Sequence, residues 1–490
     1  MTRFLESLPG LLSWTTLIAV VLLSWQKPVW IAFFIILFDT YWLLKTVYLS
    51  LHLRSSFKKM RANLKINWLE KLQATNYGLQ NIYHLVILPM HDEPYEVVKE
   101  SFASLTRINY PKEKLILALA IEERAGTAAR QTAQKISEEF SGFFFKLITT
   151  VHPANLAGEI PGKGSNETWA IQEIKKQIID PEKIPYENIL VSVFDVDTQV
   201  LPEYFGCLTY NLLTCANPQR SSFQPIPLFT NNIYQAPAFA RVVSFSSTFW
   251  QMMQQSRPER LTTFSSHSMP FKALAEIGFW QKDIVSEDSR IFWQCLLHYN
   301  GDWRVVPLFY PVSMDANVAP TAWKTFKNLY KQQQRWAWGA ENLPYLLTGF
   351  LKNKKFPLRS KIYWAFNAME GYHSWATNVL IIFALGWLPV LIGGGGFGTT
   401  VLAFQLPKIT RFIVGLSTIG IASSAILSLA LLPPRPEGIR IRHYALYAIQ
   451  WILIPVTLII FGAIPALDAQ TRLLLGGKWK LGFWVTPKSR

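Results

Sequence analysis

The sequence predicts an α/β domain with a mostly parallel sheet, joined to an α-helical membrane region. Of the 490 residues, 50% are hydrophobic and 14% aromatic, which is too apolar for an ordinary soluble protein. Long apolar runs lie near both ends of the chain, whereas residues 53–360 contain none. Within that central stretch, short apolar runs alternate with helical patterns, which is typical of βαβ units.

Two apolar runs near the N-terminus, residues 11–25 and 29–51, predict a transmembrane hairpin. The first run lacks a small-residue cleavage site, and this disfavours a removable signal peptide. Further runs at about 375–392, 412–432 and 444–464 bring the expected number of spans to roughly five. The central domain is expected in the cytoplasm because basic residues outnumber a lone Glu70 after the hairpin: Arg54, Lys58, Lys59, Arg61, Lys65 and Lys71.

Charge and cysteine content narrow the classes of partner. The net charge of +16 suits membrane-flanking basic residues and an anionic substrate. The sequence contains no helix-turn-helix pattern, zinc-finger spacing or RNP-like motif, so we expect no nucleic-acid partner. Cys207, Cys215 and Cys295 are too scattered for a disulfide framework or a zinc site.

The central domain contains four strand-like apolar runs with helical stretches between them. The runs cover 84–90, 114–121, 144–151 and 189–194, and the predicted helices cover 96–106, 126–140 and 166–179. In a parallel sheet the ligand site forms where strands end at their carboxyl termini. Three of these strand ends are acidic: His91-Asp92-Glu93, Glu122-Glu123 and Asp195-Val-Asp197.

Asp195 and Asp197 are the strongest candidates for a metal site. They directly follow a buried strand, and carboxylate oxygens are the hard ligands that Mg²⁺ or Mn²⁺ needs when it binds a diphosphate. Asp-x-Asp pairs also occur by chance in many loops. The metal-site interpretation is favoured because Glu287-Asp288 and Gln332-Gln-Gln-Arg335-Trp336 follow the pair in the same domain.

These motifs resemble the family 2 inverting glycosyltransferases of the GT-A fold, above all membrane cellulose, chitin and hyaluronan synthases. The family's opening Pro-x-Tyr-Asn-Glu motif is matched with His for Tyr and Asp for Asn, and its Asp-Asp pair appears as Glu-Glu. The matching segments are Pro89–Glu93, Glu122-Glu123, Gly162-Lys163-Gly164-Ser165-Asn166, Asp195-Val-Asp197, Ser286-Glu287-Asp288 and Gln332–Trp336.

The resemblance implies a role for each of these segments. It implies that Asp195 and Asp197 bind Mg²⁺ or Mn²⁺, that Trp336 stacks on the acceptor sugar, and that Asp288, with Glu287 beside it, is the catalytic base. It also implies a set of donor-binding residues: Glu93, Glu122, Glu123, Lys163, Gln332 and Arg335. On the alternative reading, Ser286 caps a solvated helix and Lys163 is an exposed loop cation.

The C-terminal tail resembles the Phe-x-Val-Thr-x-Lys gating loop of cellulose synthase-like enzymes, through Phe483, Val485, Thr486 and Lys488. Residues 466–475 are amphipathic and predict a helix along the membrane surface. Three spans after a cytoplasmic domain would leave this tail outside, which conflicts with both its basic residues and a gating role. One apolar run is therefore expected to be re-entrant, or a further span lies near residues 398–406.

The predicted organisation is a transmembrane hairpin over 1–52, a glycosyltransferase domain over 53–345 and interfacial helices over 346–374. Transmembrane helices follow over 375–465, and an interfacial helix with the gating-like tail over 466–490. The expected site of action is the cytoplasmic face of the plasma (inner) membrane.

The expected function is processive synthesis of a polysaccharide from a nucleotide sugar, with a UDP-sugar as the first expectation. The alternative is single transfer of a sugar to a lipid carrier or other membrane acceptor. A third class, a non-catalytic membrane protein that kept the fold, would leave the acidic motifs without a purpose. Expected partners are the nucleotide sugar, a glycan or lipid-linked acceptor and membrane lipids, while partner subunits stay open.

Overall fold

A computed structural model describes residues 2–75, 81–482 and 484–487. The strands of the described part are β1 Tyr83–Met90, β2 Leu115–Glu122, β3 Lys146–His152, β4 Ile189–Val193, β5 Gln199–Val200, β6 Ser221–Phe229, β7 Ser268–Pro270 and β8 Arg304–Met314. The helices of the domain are α3 Trp68–Gln73, α4 Tyr95–Thr106, α5 Gly126–Phe140, α6 Lys163–Ile174, α7 Tyr204–Thr214, α8 Ala238–Gln255, α9 Phe271–Glu276, α10 Glu287–His298, α11 Ala322–Ala337 and α12 Asn342–Lys352. The long apolar helices and their short connections are α1 Thr2–Gln26, α2 Pro28–Asn63, α13 Leu358–Phe383, α14 Leu388–Ile392, α15 Gly394–Gly398, α16 Val401–Ala430, α17 Arg442–Ile449, α18 Ile454–Leu458 and α19 Ile464–Leu475.

The strands form one sheet in the order β3-β2-β1-β4-β7-β6-β8-β5. Strands β1 to β4 are parallel, β7 is antiparallel to both β4 and β6, and β6 runs parallel to β8. The carboxyl ends of β1, β2, β4 and β8 therefore meet at one edge of the sheet. The four runs predicted as strands all appear, and the prediction of a mostly parallel α/β sheet is confirmed.

Both faces of the sheet are covered by helices, which explains why its central strands are apolar without interruption. Along β1, Val86 and Leu88 pack into a core with Phe102 of α4, whereas Leu85 and Ile87 pack into a second core with helix α6. Because successive side chains of a strand point to opposite faces, one run of apolar residues supplies both cores.

Among the described residues, four helices are long and apolar enough to cross a membrane, or five if the bent pair α13–α14 forms one span. The four are Arg3–Gln26, Pro28–Asn63, Val401–Ala430 and the continuous helical segment Arg442–Leu475, and the pair α13–α14 bends by 48°. All five predicted apolar runs lie in these helices. No separate span occurs near residues 398–406, because Val401 begins the same helix that contains the run at 412–432.

The segment Arg442–Leu475 packs both against the α/β domain and against the other long apolar helices α1, α13 and α16. Its exposed residues include the large apolar side chains Ile449, Ile452 and Val456. Its contacts with α8 and α11 are, in chain order, Gln450 with Arg241, Trp451 with Phe249, Phe461 with Phe239, and Asp468 with Gln334.

Candidate active site

The ammonium group of Lys163 is the centre of the candidate site. Its Nζ lies 2.7 Å from Asp195 Oδ1, 3.5 Å from Glu287 Oε1 and 3.7 Å from Glu167 Oε1. Asp195 follows β4, Lys163 and Glu167 lie in the first turns of α6, and Glu287 begins α10. One cation thus joins the predicted metal pair to the segment that carries the predicted base.

The three carboxylates around Lys163 differ in burial. Glu167 and Glu287 are almost fully buried, whereas the side chain of Asp195 is 27% exposed and faces the opening of the site. Burial alone would lower the pKa of Lys163, but the carboxylates of Asp195, Glu167 and Glu287 overcome this, and its pKa lies well above the usual value. Lys163 is therefore a permanent cation in this site.

Burial acts in the opposite direction on the carboxylates. The Lys163 ammonium lowers the pKa of both Glu287 and Glu167, but burial outweighs this effect. The pKa of Glu287 is raised to about 7, and that of Glu167 is raised well above the usual value. His267 is also buried, its Nδ1 donates to the Phe264 carbonyl at 2.9 Å, and burial lowers its pKa to about 4. His267 is therefore neutral at physiological pH, and its Nδ1 serves a local hydrogen bond.

Asp197 is held more rigidly than Asp195. It is fully buried, its Oδ2 accepts a hydrogen bond from the backbone N–H of Asp315 at 2.9 Å, and its carbonyl accepts one from the Asn231 amide. Asp195 instead accepts from the Ser265 hydroxyl at 2.7 Å and from Lys163. The fixed carboxylate and the more exposed one lie two residues apart at the end of β4.

The Ser286-Glu287-Asp288 segment is fixed by Glu341, which follows the end of α11. Glu341 Oε1 accepts from the Ser286 hydroxyl at 2.7 Å and from the Ser286 backbone N–H at 3.2 Å, and its Oε2 accepts from the Trp338 indole. The expectation that Ser286 caps α10 is wrong, because its hydroxyl donates to Glu341 and makes no capping bond. Asp288 is half-exposed beside Glu287 and accepts from the Ser289 backbone N–H at 2.7 Å.

The residues of Gln332–Trp336 lie on α11. The Gln332 amide oxygen accepts from Asn317 at 3.4 Å, just after β8. The Arg335 guanidinium is close enough to Glu287 to lower the pKa of that carboxyl, although burial of Glu287 outweighs it. The ring of Trp336 lies 6.1 Å from that of Phe229, at the end of β6. Helix α11 therefore borders the same site.

The acidic residues after β1 and β2 have local partners. Glu93 accepts from the backbone N–H of His91 at 2.7 Å, Glu122 is paired with Arg124, and Glu123 accepts from the backbone N–H of Ala154 at 3.0 Å. Glu93, Glu122 and Glu123 lie at the same sheet edge as Asp195, and these interactions stabilise the loops that follow β1 and β2.

The described part of the tail lies against α11. The Lys331 ammonium lies 5.3 Å from the ring centroid of Trp484, and Thr486 is buried. Val485 is half-buried next to it. Phe483 and Lys488, the other two predicted gating residues, lie outside the described residues.

The donor atoms at the end of β4 fit a divalent cation that shares its coordination with a substrate. In the described residues no three His, Cys, Asp or Glu side chains converge as a complete metal site. Mg²⁺ commonly takes only one or two protein carboxylates and receives its other ligands from substrate phosphates and water. Asp195 and Asp197 would supply those carboxylates, and the 27% exposure of Asp195 leaves a path to it.

Two acidic residues of this site, Glu167 and Asp315, were not predicted from the sequence. Glu167 lies four residues after Lys163, so both face the same side of α6. This spacing alone could have predicted an ion pair between them. Asp315 follows β8 at the sheet edge that carries Asp195, and β8 is one of the four strands that were not predicted from the sequence.

Gly164 allows α6 to approach the Ser286-Glu287-Asp288 segment. A Cβ at this position would lie 2.6 Å from the Gln281 carbonyl oxygen and 3.1 Å from Glu287 Cβ. Any larger residue must therefore separate α6 from α10.

We expect Gly164→Ala to lower the free energy of unfolding by about 1–3 kcal/mol, the usual cost of overpacking, because backbone must move. The matched control is Gly142→Ala, where a Cβ would have no neighbour within 4 Å. Urea unfolding of both purified variants in detergent measures the difference. Equal stability of the two variants would show that the close approach at Gly164 carries no constraint.

The chain was compared with known proteins and solved structures. The solved structures that it matches include a mannosyltransferase from Pyrobaculum calidifontis in complex with GDP-Man and Mn²⁺, at 13% identity and TM-score 0.43, covering 81% of this chain and 99% of that one. Another is TarS residues 1–349 from S. aureus, at 11% identity and TM-score 0.35, covering 80% of this chain and 90% of that one. No curated protein matches the chain.

The family model for glycosyl transferase family group 2 matches residues 190–462, more than half of the chain. Because this match agrees with the mostly parallel sheet, the expected GT-A fold is confirmed, and the chain belongs to glycosyl transferase family group 2.

Proposed function

We propose that this protein transfers a sugar from a nucleotide-diphosphate sugar to an acceptor hydroxyl with inversion at the anomeric carbon. The observation that carries this proposal is the position of Lys163, within 4 Å of Asp195 and Glu287. A site for diphosphate departure and a site for hydroxyl activation must be adjacent, because both act on the same carbon. Here the Lys163 ammonium contacts Asp195 of the predicted metal pair and Glu287, the residue next to Asp288.

The leaving diphosphate gains negative charge as the glycosidic bond breaks. A divalent cation held by Asp195 and Asp197 would supply charge neutralisation there. Lys163 stays protonated, and Arg335 offers the fork of donors that pairs with phosphate oxygens. Gln332 is held by Asn317 on the same side of the sheet. Glu93, Glu122 and Glu123 would shape the donor end of the site through the loops that they stabilise.

Inverting transfer needs a base that removes the proton of the acceptor hydroxyl. We assign this role to Asp288, which is half-exposed, whereas its neighbour Glu287 is buried against Lys163. Glu287 is then a positioning residue that fixes the segment on which Asp288 lies. Trp336 offers its ring as a platform for the acceptor sugar.

Processive synthesis is the more specific part of the proposal, with a UDP-sugar as the expected donor. Its support is the tail, where Trp484 contacts Lys331 of α11 and Thr486 is buried. A loop in contact with the acceptor helix could cover the donor site between successive transfers. The growing glycan would leave past α11 and α19.

We further propose four membrane crossings: α1, α2, the bent pair α13–α14, and α16. A Cβ on Gly393 would lie 2.7 Å from Pro28 Cβ, so the α1–α2 turn and the α14–α15 connection share one side. At the other side, Arg3 donates to the Leu473 carbonyl at 2.7 Å. An even number of crossings leaves the domain and the tail on one side, which removes the conflict in the sequence-based span count.

Asp288→Asn should lower the rate of sugar transfer by about a hundredfold to ten-thousandfold, because the amide cannot accept the proton. Donor binding should change little, since Asp288 does not contact Lys163. The matched control is Asp302→Asn, which removes an exposed carboxylate elsewhere. Transfer rates and nucleotide affinities of the purified variants provide the test, and turnover of Asp288→Asn within about threefold of wild type would remove Asp288 from this role.

Product size separates the possible functions. Incubation of the purified protein with a panel of radiolabelled nucleotide sugars should give a ladder of polymer lengths, strongest with a UDP-sugar. A single labelled glycolipid would replace processive synthesis by one transfer to a lipid acceptor. No product from any donor would contradict catalysis itself.

Reporter fusions test the membrane arrangement. A reporter after Arg490 should read as cytoplasmic, because four crossings return the chain to the side of the domain. A reporter inserted within residues 394–398 should read as external. The opposite reading at Arg490 would make Arg442–Leu475 a crossing helix and would contradict the proposed arrangement.

A further inference from the structure

A cavity of about 410 Å³ lies where α13 meets the domain, away from the Lys163 cluster. Its walls are the first turns of α13, with Arg359, Tyr363 and Trp364, and the start of β8, with Trp303 and Arg304. Asp315 follows the opposite end of β8. Since β8 has eleven residues, that end is about 33 Å away. The cavity therefore has no part in the proposed sugar transfer.

The cavity is built for an anion. Arg304 and Arg359 are exposed, and in the described part of the chain neither guanidinium has a hydrogen bond or an ion pair. The acid that lines the cavity is Glu259, which is exposed at the rim. Guanidinium groups match the geometry of phosphate oxygens, and two of them against one carboxylate leave the cavity positive.

The chain leading into the cavity is also basic. Residues 352–361 contain five basic residues and no acid: Lys352, Lys354, Lys355, Arg359 and Lys361. Lys361 donates to the Phe350 and Asn353 carbonyls at the end of α12, and this fixes the entry into α13. A cluster of this composition immediately before an apolar helix is typical of segments that bind anionic lipid headgroups.

An apolar stripe borders the two arginines. Leu358, Ile362 and Phe366 are 71%, 62% and 68% exposed, and their spacing of four residues puts them on one face of α13. Tyr48 and Leu51 on α2 are exposed as well, and Tyr48 lies 5.6 Å from the Arg257 guanidinium beside the cavity. Contiguous apolar surface of this kind on two candidate spans is expected to contact acyl chains.

We propose that this cavity binds one anionic phospholipid, with its phosphate between Arg304 and Arg359 and its acyl chains along Leu358, Ile362 and Phe366. A free phosphate or a nucleotide would satisfy the arginines but would leave the stripe uncovered. The lipid satisfies both and fixes the start of α13 at the membrane surface.

The experiment is native mass spectrometry of the purified full-length protein, titrated in detergent with phosphatidylglycerol or phosphatidylcholine. Wild type should retain one phosphatidylglycerol in preference to phosphatidylcholine. The double variant Arg304→Gln, Arg359→Gln should weaken retention by about tenfold to a hundredfold, because two charge-assisted hydrogen-bonding groups are lost. The matched control Arg107→Gln, Arg130→Gln removes the same charge from exposed positions outside both the cavity and the basic cluster and should change retention by less than about threefold.

The source of the phosphate is tested by a third variant and a competitor. Ile362→Ser, Phe366→Ser should also weaken retention of phosphatidylglycerol, and equimolar inorganic phosphate should not displace the lipid. Equal losses in the cavity variant and in the Arg107→Gln, Arg130→Gln control would overturn the cavity as the site. Displacement by inorganic phosphate, or equal retention of phosphatidylcholine, would overturn the anionic lipid as its occupant. None of these readouts depends on sugar transfer, so they stand apart from the proposed function.

Discussion

The site depends on a single buried cation that is shared by several carboxylates. The Lys163 side chain is itself largely buried, and a buried charge without a partner is strongly destabilising. Its ammonium lies 2.7 Å from Asp195 and 3.5 Å from Glu287, so the acidic side chains around it compensate its charge. Because Lys163 begins α6, Asp195 follows β4 and Glu287 begins α10, this one group fixes the relative position of three elements from distant parts of the chain.

The same site is coupled to the membrane region through a short series of contacts. Glu341 holds the Ser286 backbone, and Trp338, which donates to Glu341, packs in a cluster with residues of α13 and α19. Asp468 of α19 is bonded to Gln334 on α11. Helix α19 and the Ser286-Glu287-Asp288 segment are therefore parts of one packed unit. We expect a displacement of either one to displace the other.

Much of the fold was predictable from the sequence because its signals are local. The helix over Gly126–Phe140 was predicted with its observed bounds, and the strand before Asp195 was found from one apolar run. Strands β5 to β8 were not predicted, because their pairing is decided by partners far along the chain. The resemblance identified Lys163 as a residue near the nucleotide, but its contacts with Glu167 and Glu287 depend on the tertiary packing of α6 against α10. Likewise, hydropathy identified the apolar run within Arg442–Leu475, whereas its contacts with α8 and α11 depend on the tertiary packing.

A double-mutant cycle between Lys163→Met and Asp195→Asn tests most directly whether Lys163 stabilises the site by pairing with the acidic side chains around it. Lys163→Met alone should lower the free energy of unfolding by about 3–5 kcal/mol, because it removes one partner of a largely buried ion pair. Adding Asp195→Asn should recover part of that loss, with a coupling of about 0.5–3 kcal/mol in urea unfolding. Effects that simply add, within about 0.5 kcal/mol, would contradict this role of Lys163.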